Sequence, residues 1–108
     1  MNSELSRLSD LNIEDDILRA DFYLRIMRYI KSPEATGIKH TIALDEPYRH
    51  DLVSYRIYKT VDLRWLVGLV CGVDDEAQPL EQGETYLFPS LIYVRREMRA
   101  FLDEMGLS

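Results

Sequence analysis

One apolar block constrains what this chain can fold into more than any other feature: DLVSYRIYKTVDLRWLVGLVCGV, residues 51–73, the most densely patterned part of the sequence. Its longest uninterrupted apolar run, 65–73, is far shorter than the about 20 residues that a membrane-spanning helix needs. In a chain of 108 residues the block must therefore supply the centre of one small core, and no membrane partner is expected. A domain of this length has modest apolar area to bury, so any segment that projects from the core is expected to gain its order from a partner.

Charge narrows the partners further. Nineteen acidic against thirteen basic side chains leave a net charge of -6, which repels phosphate backbones and anionic lipid headgroups, so nucleic acid is not expected either. Cys71 is the single cysteine, which rules out an internal disulfide or a cysteine-based zinc site; inside an apolar run it reads as a small buried hydrophobe. The start, MNSELSRLSDLNIEDD, has no basic segment followed by an apolar one and does not read as a secretory signal. Assembly in a cytosol is the expectation.

Residues 1–15 read as a flexible arm, polar with isolated Leu5, Leu8 and Leu11, able to order on a partner. A helix is predicted from 15 or 16 to 31, with Ile17, Ala20, Leu24 and Met27 on the inward side together with Tyr23 and Ile30, acids early and Arg25, Arg28 and Lys31 late, as the helix dipole prefers. Pro33 and Gly37 close this N-terminal unit, 16–37. GIKHTIALDEP alternates as a half-buried strand does, with His40 on the apolar side, where a satisfied core or edge histidine is the reading. Asp51 is the expected N-cap of a short helix ending near Tyr58, and Asp62 that of a second from 63 to about 71, which turns Leu66, Leu69, Val70 and Val73 inward. Trp65 is the largest single source of apolar area there.

VDDEAQPLEQGE reads as a solvated acidic loop. Asp74, Asp75 and Glu76 are consecutive and lack the spaced oxygens of a calcium loop, so no metal or cofactor is expected. A short strand from 85 to 88 stops at Pro89, and Ser90 caps a last helix whose Leu91, Val94, Met98, Phe101, Leu102 and Met105 recur at near-heptad spacing until Gly106. The expected order is helix, strand, helix, helix, strand, helix, an α+β domain.

Catalytic chemistry finds no foothold in these residues. Ser54 sits in a helix beside Tyr55, Cys71 is flanked by apolar residues, and neither neighbours a histidine. There is no nucleophile elbow, HExxH helix or phosphate-binding loop, and the expectation is a non-enzymatic protein with no catalytic residue. Seven tyrosines and one tryptophan suit contact surfaces better than reaction centres.

The centre of the chain, residues 38–90, resembles the lysin-motif fold, a strand, two short helices in a hairpin and a second strand antiparallel to the first. The pattern L-x-x-G-x-x-x-x-x-P at Leu80, Gly83 and Pro89 is similar to the way lysin motifs finish. RHDLVSYRIYKTVDLRWLVGLVCGV resembles, more closely, the lysin-motif-like wedge or ripcord proteins of contractile phage baseplates and related injection machines, with their signature R-P-D-L-x-A-Y-x-x-Y-G-x-x-x-L-W-W. Arg49, Asp51, Leu52, Tyr55, Tyr58, Leu63 and Trp65 match it; His50, Ser54, Lys59 and Arg64 stand at its Pro, Ala, Gly and first Trp.

The resemblance implies a lysin-motif-like β-α-α-β core flanked by an N-terminal helix and a C-terminal helix, the latter over 91–108. It implies a structural protein of the virion's tail baseplate, assembled in the host cytoplasm, present in several copies and clamping wedge, hub and sheath-proximal or tube-proximal proteins. The apolar stripes of the first and last helices exceed what a two-stranded core can cover, and the expected partner interface comprises Phe22, Tyr23, Ile26, Tyr48, Arg49, Tyr93, Met98, Phe101 and Met105. The rival expectation is a sugar-binding lysin motif that takes N-acetylglucosamine polymers across loops 45–50 and 74–82. Both loops are acidic here, and the Gly-Asp-Thr entry and the Asn after the second helix, usual in that family, are absent.

Overall fold

Asp15 starts the first helix: its carboxylate accepts the backbone N–H groups of Ile17 and Leu18 at 2.8 and 3.1 Å, and α1 runs Asp16–Lys31. The computed structural model describes residues 8–73 and 75–106. Strand β1, Gly37–Thr41, leads to α2, His50–Tyr58, and α3, Arg64–Cys71. Strand β2, Thr85–Pro89, and α4, Leu91–Glu104, complete the order. Among the described residues this is an α+β arrangement of four helices and one two-stranded antiparallel sheet.

The sheet is short and tightly apposed. Gly37 pairs with Pro89 and Thr41 with Thr85 at its two ends, and the two threonine hydroxyls share a 2.6 Å hydrogen bond. A Cβ at position 37 would lie 2.0 Å from the carbonyl oxygen of Phe88, so only glycine permits the strands to meet there. Phe88 is buried between the sheet and the helices, whereas Ile38 stays partly exposed. His40 stands at the edge with its Nε2 2.9 Å from Glu46, satisfied as its place in the strand pattern suggested.

Which side of α1 faces inward is a correction. Phe22 and Ile26 are fully buried, with Leu18 and Tyr29 packed beside them. Ile17 is 80% and Leu24 54% exposed, and Ala20 is exposed too. The helix carries apolar residues on nearly every side, so periodicity alone does not choose a face. The choice is made by rings elsewhere: Phe22 lies 5.4 Å from the Phe101 ring and 5.9 Å from the Trp65 ring.

The caps of the hairpin differ as well. Arg49 and Leu63 occupy the N-cap positions of α2 and α3, neither with a side-chain cap bond. Asp51 lies inside the first turn of α2, paired with the Arg49 guanidinium at 3.1 and 3.2 Å. Leu63 is completely buried, and that burial anchors the start of α3 in place of an Asp62 cap. Ser54 splices the two helices: its hydroxyl donates to the Thr60 carbonyl at 2.6 Å and accepts the Leu63 N–H at 3.2 Å. Leu66, Val67 and Val70 are the buried residues of α3's apolar side, with Leu69, Cys71 and Val73 half-buried around them. In the last helix Ser90 does cap, accepting the Tyr93 N–H at 3.1 Å.

The arm expected over 1–15 is a further correction over its described part. Ser9 caps a single 3-10 turn, Asp10–Asn12, and Ile13 has no exposed surface. The Leu8 carbonyl accepts the Trp65 indole N–H at 2.8 Å, and the Tyr23 hydroxyl donates to Asp10. Segment 8–15 thus closes one side of the chain's own core. Residues 1–7, with Leu5, lie outside the described residues, as does Asp74 of the acidic loop.

Lys59 ends α2 in the left-handed region, φ 64°, with its N–H on the Tyr55 carbonyl at 2.8 Å. A residue with a Cβ is strained there by about 1 kcal/mol, whereas glycine is at ease. Lys59→Gly is expected to stabilise the chain by about 0.5 to 1 kcal/mol in urea denaturation, despite the extra freedom glycine gives the unfolded chain.

Candidate functional site

The nine residues singled out as a partner interface divide by burial. Phe22, Ile26, Met98, Phe101 and Tyr93 belong to the core, which corrects the expectation that these residues of the outer helices are uncovered. The two stripes cover one another: Phe22 meets Phe101, Tyr29 stacks on Tyr93 at 3.8 Å between ring centres, and Arg25 reaches from α1 to Glu97 and Glu104 of α4 at 3.1 and 2.6 Å. The Arg25 guanidinium also lies 4.9 Å over the Phe101 ring. Tyr23 and Met105 are half-buried against this core. Tyr48, 66% exposed, and Arg49 remain at the surface.

What solvent meets instead is a different apolar set. The stripe of α1 formed by Ile17, Ala20 and Leu24, which the periodicity had turned inward, faces out. A second exposed set lies on loop 42–49 and α2, where Leu44 (79% exposed), Tyr48 and Tyr55 project. Ile92, in the first turn of α4, is exposed too. Scattered exposed hydrophobes are ordinary. A stripe of three on one side of a helix, and separately a loop that offers Leu44 and Tyr48, are surfaces suited to another protein.

Loop 42–49 is held in shape from beneath by Glu46, whose side chain is fully buried. Its carboxylate accepts the Ala43 N–H at 2.6 Å, faces His40 Nε2 at 2.9 Å and accepts from Arg56 Nη1 at 2.9 Å. Burial pushes the Glu46 carboxyl upward, but these hydrogen bonds and the neighbouring charge outweigh it and hold the group below its ordinary value. Arg56 also grips Asp45 at 2.9 and 2.7 Å, and the Asp45 carboxyl is lowered by that bond. The aspartate and glutamate of the acidic loop 45–50 are therefore the rivets that present Leu44 and Tyr48. The signal was legible only as an acid pair some ten residues ahead of an arginine, with no helical spacing to connect them.

The groups with reactive potential are occupied or muted. Ser54 spends its hydroxyl on the α2–α3 turn. The Cys71 thiol is pushed up to about 12 by burial, with the Glu46 charge adding to it, so little thiolate forms near neutrality. The Tyr58 hydroxyl is buried, donates to the Pro89 carbonyl at 2.6 Å and is raised by desolvation. Among the described residues no group of three or more His, Cys, Asp or Glu side chains is arranged to hold a metal ion, and no helix is long and apolar enough to cross a membrane. Compared with known proteins, the chain matches no family model, no curated protein and no solved structure.

Proposed function

We propose that this chain is a structural, non-enzymatic component of a contractile tail baseplate, with a lysin-motif-like core, that joins wedge, hub and sheath-proximal proteins through protein contacts. The observation that carries this reading is how residues 49–65 use the positions of the baseplate signature. At the matched positions, Arg49 pairs with Asp51, Tyr58 ties α2 to the end of β2, Leu63 is buried, and Trp65 holds the Leu8 carbonyl.

Three of the four departures, all but Arg64, fall where the signature's own residue type has a physical use. His50 is the first residue of α2, the helical position that suits proline. Ser54 is fully buried, where the small volume of alanine fits. Lys59 is the left-handed helix end that suits glycine. The closing pattern is consistent with the same reading: the Leu80 N–H donates to the Pro47 carbonyl at 2.7 Å and the Gly83 N–H to the Ile42 carbonyl at 2.9 Å.

The contact surfaces in this role are the outward stripe of α1 and the Leu44–Tyr48 loop. Several copies would assemble in the host cytoplasm into a symmetric virion structure. The variants Ile17→Lys with Leu24→Lys, and Leu44→Asp with Tyr48→Asp, are expected to melt within about 0.5 kcal/mol of the parent, as exposed substitutions do. Baseplates purified by sedimentation should contain at least about tenfold less of either variant, a loss of about 1.4 kcal/mol or more. Undiminished incorporation of both would overturn the assignment of these surfaces.

A further inference from the structure

His50 is an anomaly that the joining role does not use. It is only 2% exposed, and neither ring nitrogen has a hydrogen-bond partner. A buried imidazole without partners forfeits the hydrogen bonds water would give it. Such a group is retained at a cost, and its surroundings suggest what it awaits.

The imidazole lines a cleft of about 540 Å³ between α1, α3 and segment 8–15, which also exposes Asp10, Tyr23, Asp62, Trp65 and Glu76. Gly68 of α3 lies at the same floor: a Cβ there would stand 3.5 Å from His50 Nδ1 and 2.7 Å from the Val73 carbonyl oxygen. The wall is a pair of stacked rings, Tyr23 and Trp65, with centres 5.9 Å apart. Both rings are anchored, Tyr23 through Asp10 and Trp65 through Leu8. Among the described lining residues three carboxylates, Asp10, Asp62 and Glu76, stand with Arg64, whose guanidinium lies 3.8 Å from Glu76.

The parts together favour a cationic donor. A neutral imidazole offers one acceptor nitrogen to a donor, and one N–H that a carboxylate can take. The excess of carboxylates calls for a cation, and an anchored aromatic wall favours a flat one that can stack. We propose that this cleft binds the guanidinium of an arginine side chain supplied by another polypeptide. The guanidinium stacks on the Tyr23–Trp65 wall, is neutralised by Asp62 and Glu76, and donates to His50 once the imidazole turns toward the cleft, its nitrogens being sealed in the unliganded chain. The site stands independently of the baseplate role.

Titration of the full chain with N-acetyl-arginine amide, followed by NMR at the Trp65 indole N–H and the Gly68 amide, tests this directly. Saturable shifts at both are expected, at least tenfold weaker with the uncharged N-acetyl-citrulline amide. Asp62→Asn with Glu76→Gln, at exposed positions, should weaken binding at least threefold in a chain whose melting is unchanged. His50→Leu should abolish the shifts while leaving stability equal or raised, because no hydrogen bond is lost; should that variant fail to fold, the carboxylate variant decides alone. Equal binding of the citrulline probe, tighter binding of free arginine than of its blocked amide, stronger shifts with N-acetylglucosamine oligomers, or no saturable shift would each overturn the proposal.

Discussion

Phe101→Ala is expected to cost the chain about 3 to 5 kcal/mol, as emptying a fully enclosed aromatic site does. Phe101 has no exposed surface, and it touches both Phe22 and the Arg25 guanidinium. The loss combines the transfer of the ring with the cavity that remains, because α1 and α4 are also pinned by the Arg25 ion pairs and cannot simply close up. Phe101→Asp should unfold the chain outright, since a bare carboxylate would lie among Phe22, Val94 and Met98. Urea denaturation followed by circular dichroism checks both. A folded, nearly wild-type Phe101→Asp chain would mean that the α1–α4 contact is not part of the core.

Glu46→Ala is expected to lose about 1 to 3 kcal/mol, the usual cost of leaving a buried donor without its acceptor. The Ala43 N–H and the His40 ring would lose their partner, while Arg56 keeps its two bonds to Asp45. The pH dependence has a definite sign. The Glu46 carboxyl is lowered from its ordinary 4.5, so its stabilising effect is complete above the unfolded-state value and fades as pH falls through the lower folded-state value. The stability gap between parent and Glu46→Ala should therefore be full at neutral pH and shrink as pH drops below about 4.5. Denaturation midpoints across the acid range measure it, and a gap that widens toward acid would contradict the assignment.

Local signals and long-range ones were not equally legible in the sequence. The element order, the start of β1, the stop of β2 and the start of α4 could be read because Gly37, Pro89 and Ser90 act on their immediate neighbours, whereas the strand pattern ran on past Thr41, where β1 ends, to Leu44, which is exposed. Asp15 announced α1 for the same reason. The inward face of α1 could not be read, because Ile17 and Leu24 are as apolar as Phe22 and Ile26, and the choice rests on rings some forty and eighty residues away. The same missing contact made Met98 and Phe101 look uncovered. Asp51 and Asp62 resembled caps, but Arg49, two residues earlier, took the first and the burial of Leu63 decided the start of α3. The buried, partnerless state of His50 had no sequence signal beyond its standing where the baseplate signature has proline.

The central claim is that this chain joins larger proteins of a contractile tail. It is tested most directly by capturing the tagged full chain at its native level from cells producing the particle, and identifying what is bound by mass spectrometry. The account predicts recovery of sheath-proximal, hub and wedge proteins in fixed proportion, with the Ile17→Lys, Leu24→Lys variant losing them. Recovery with cell-wall glycan fragments and no tail protein would contradict it.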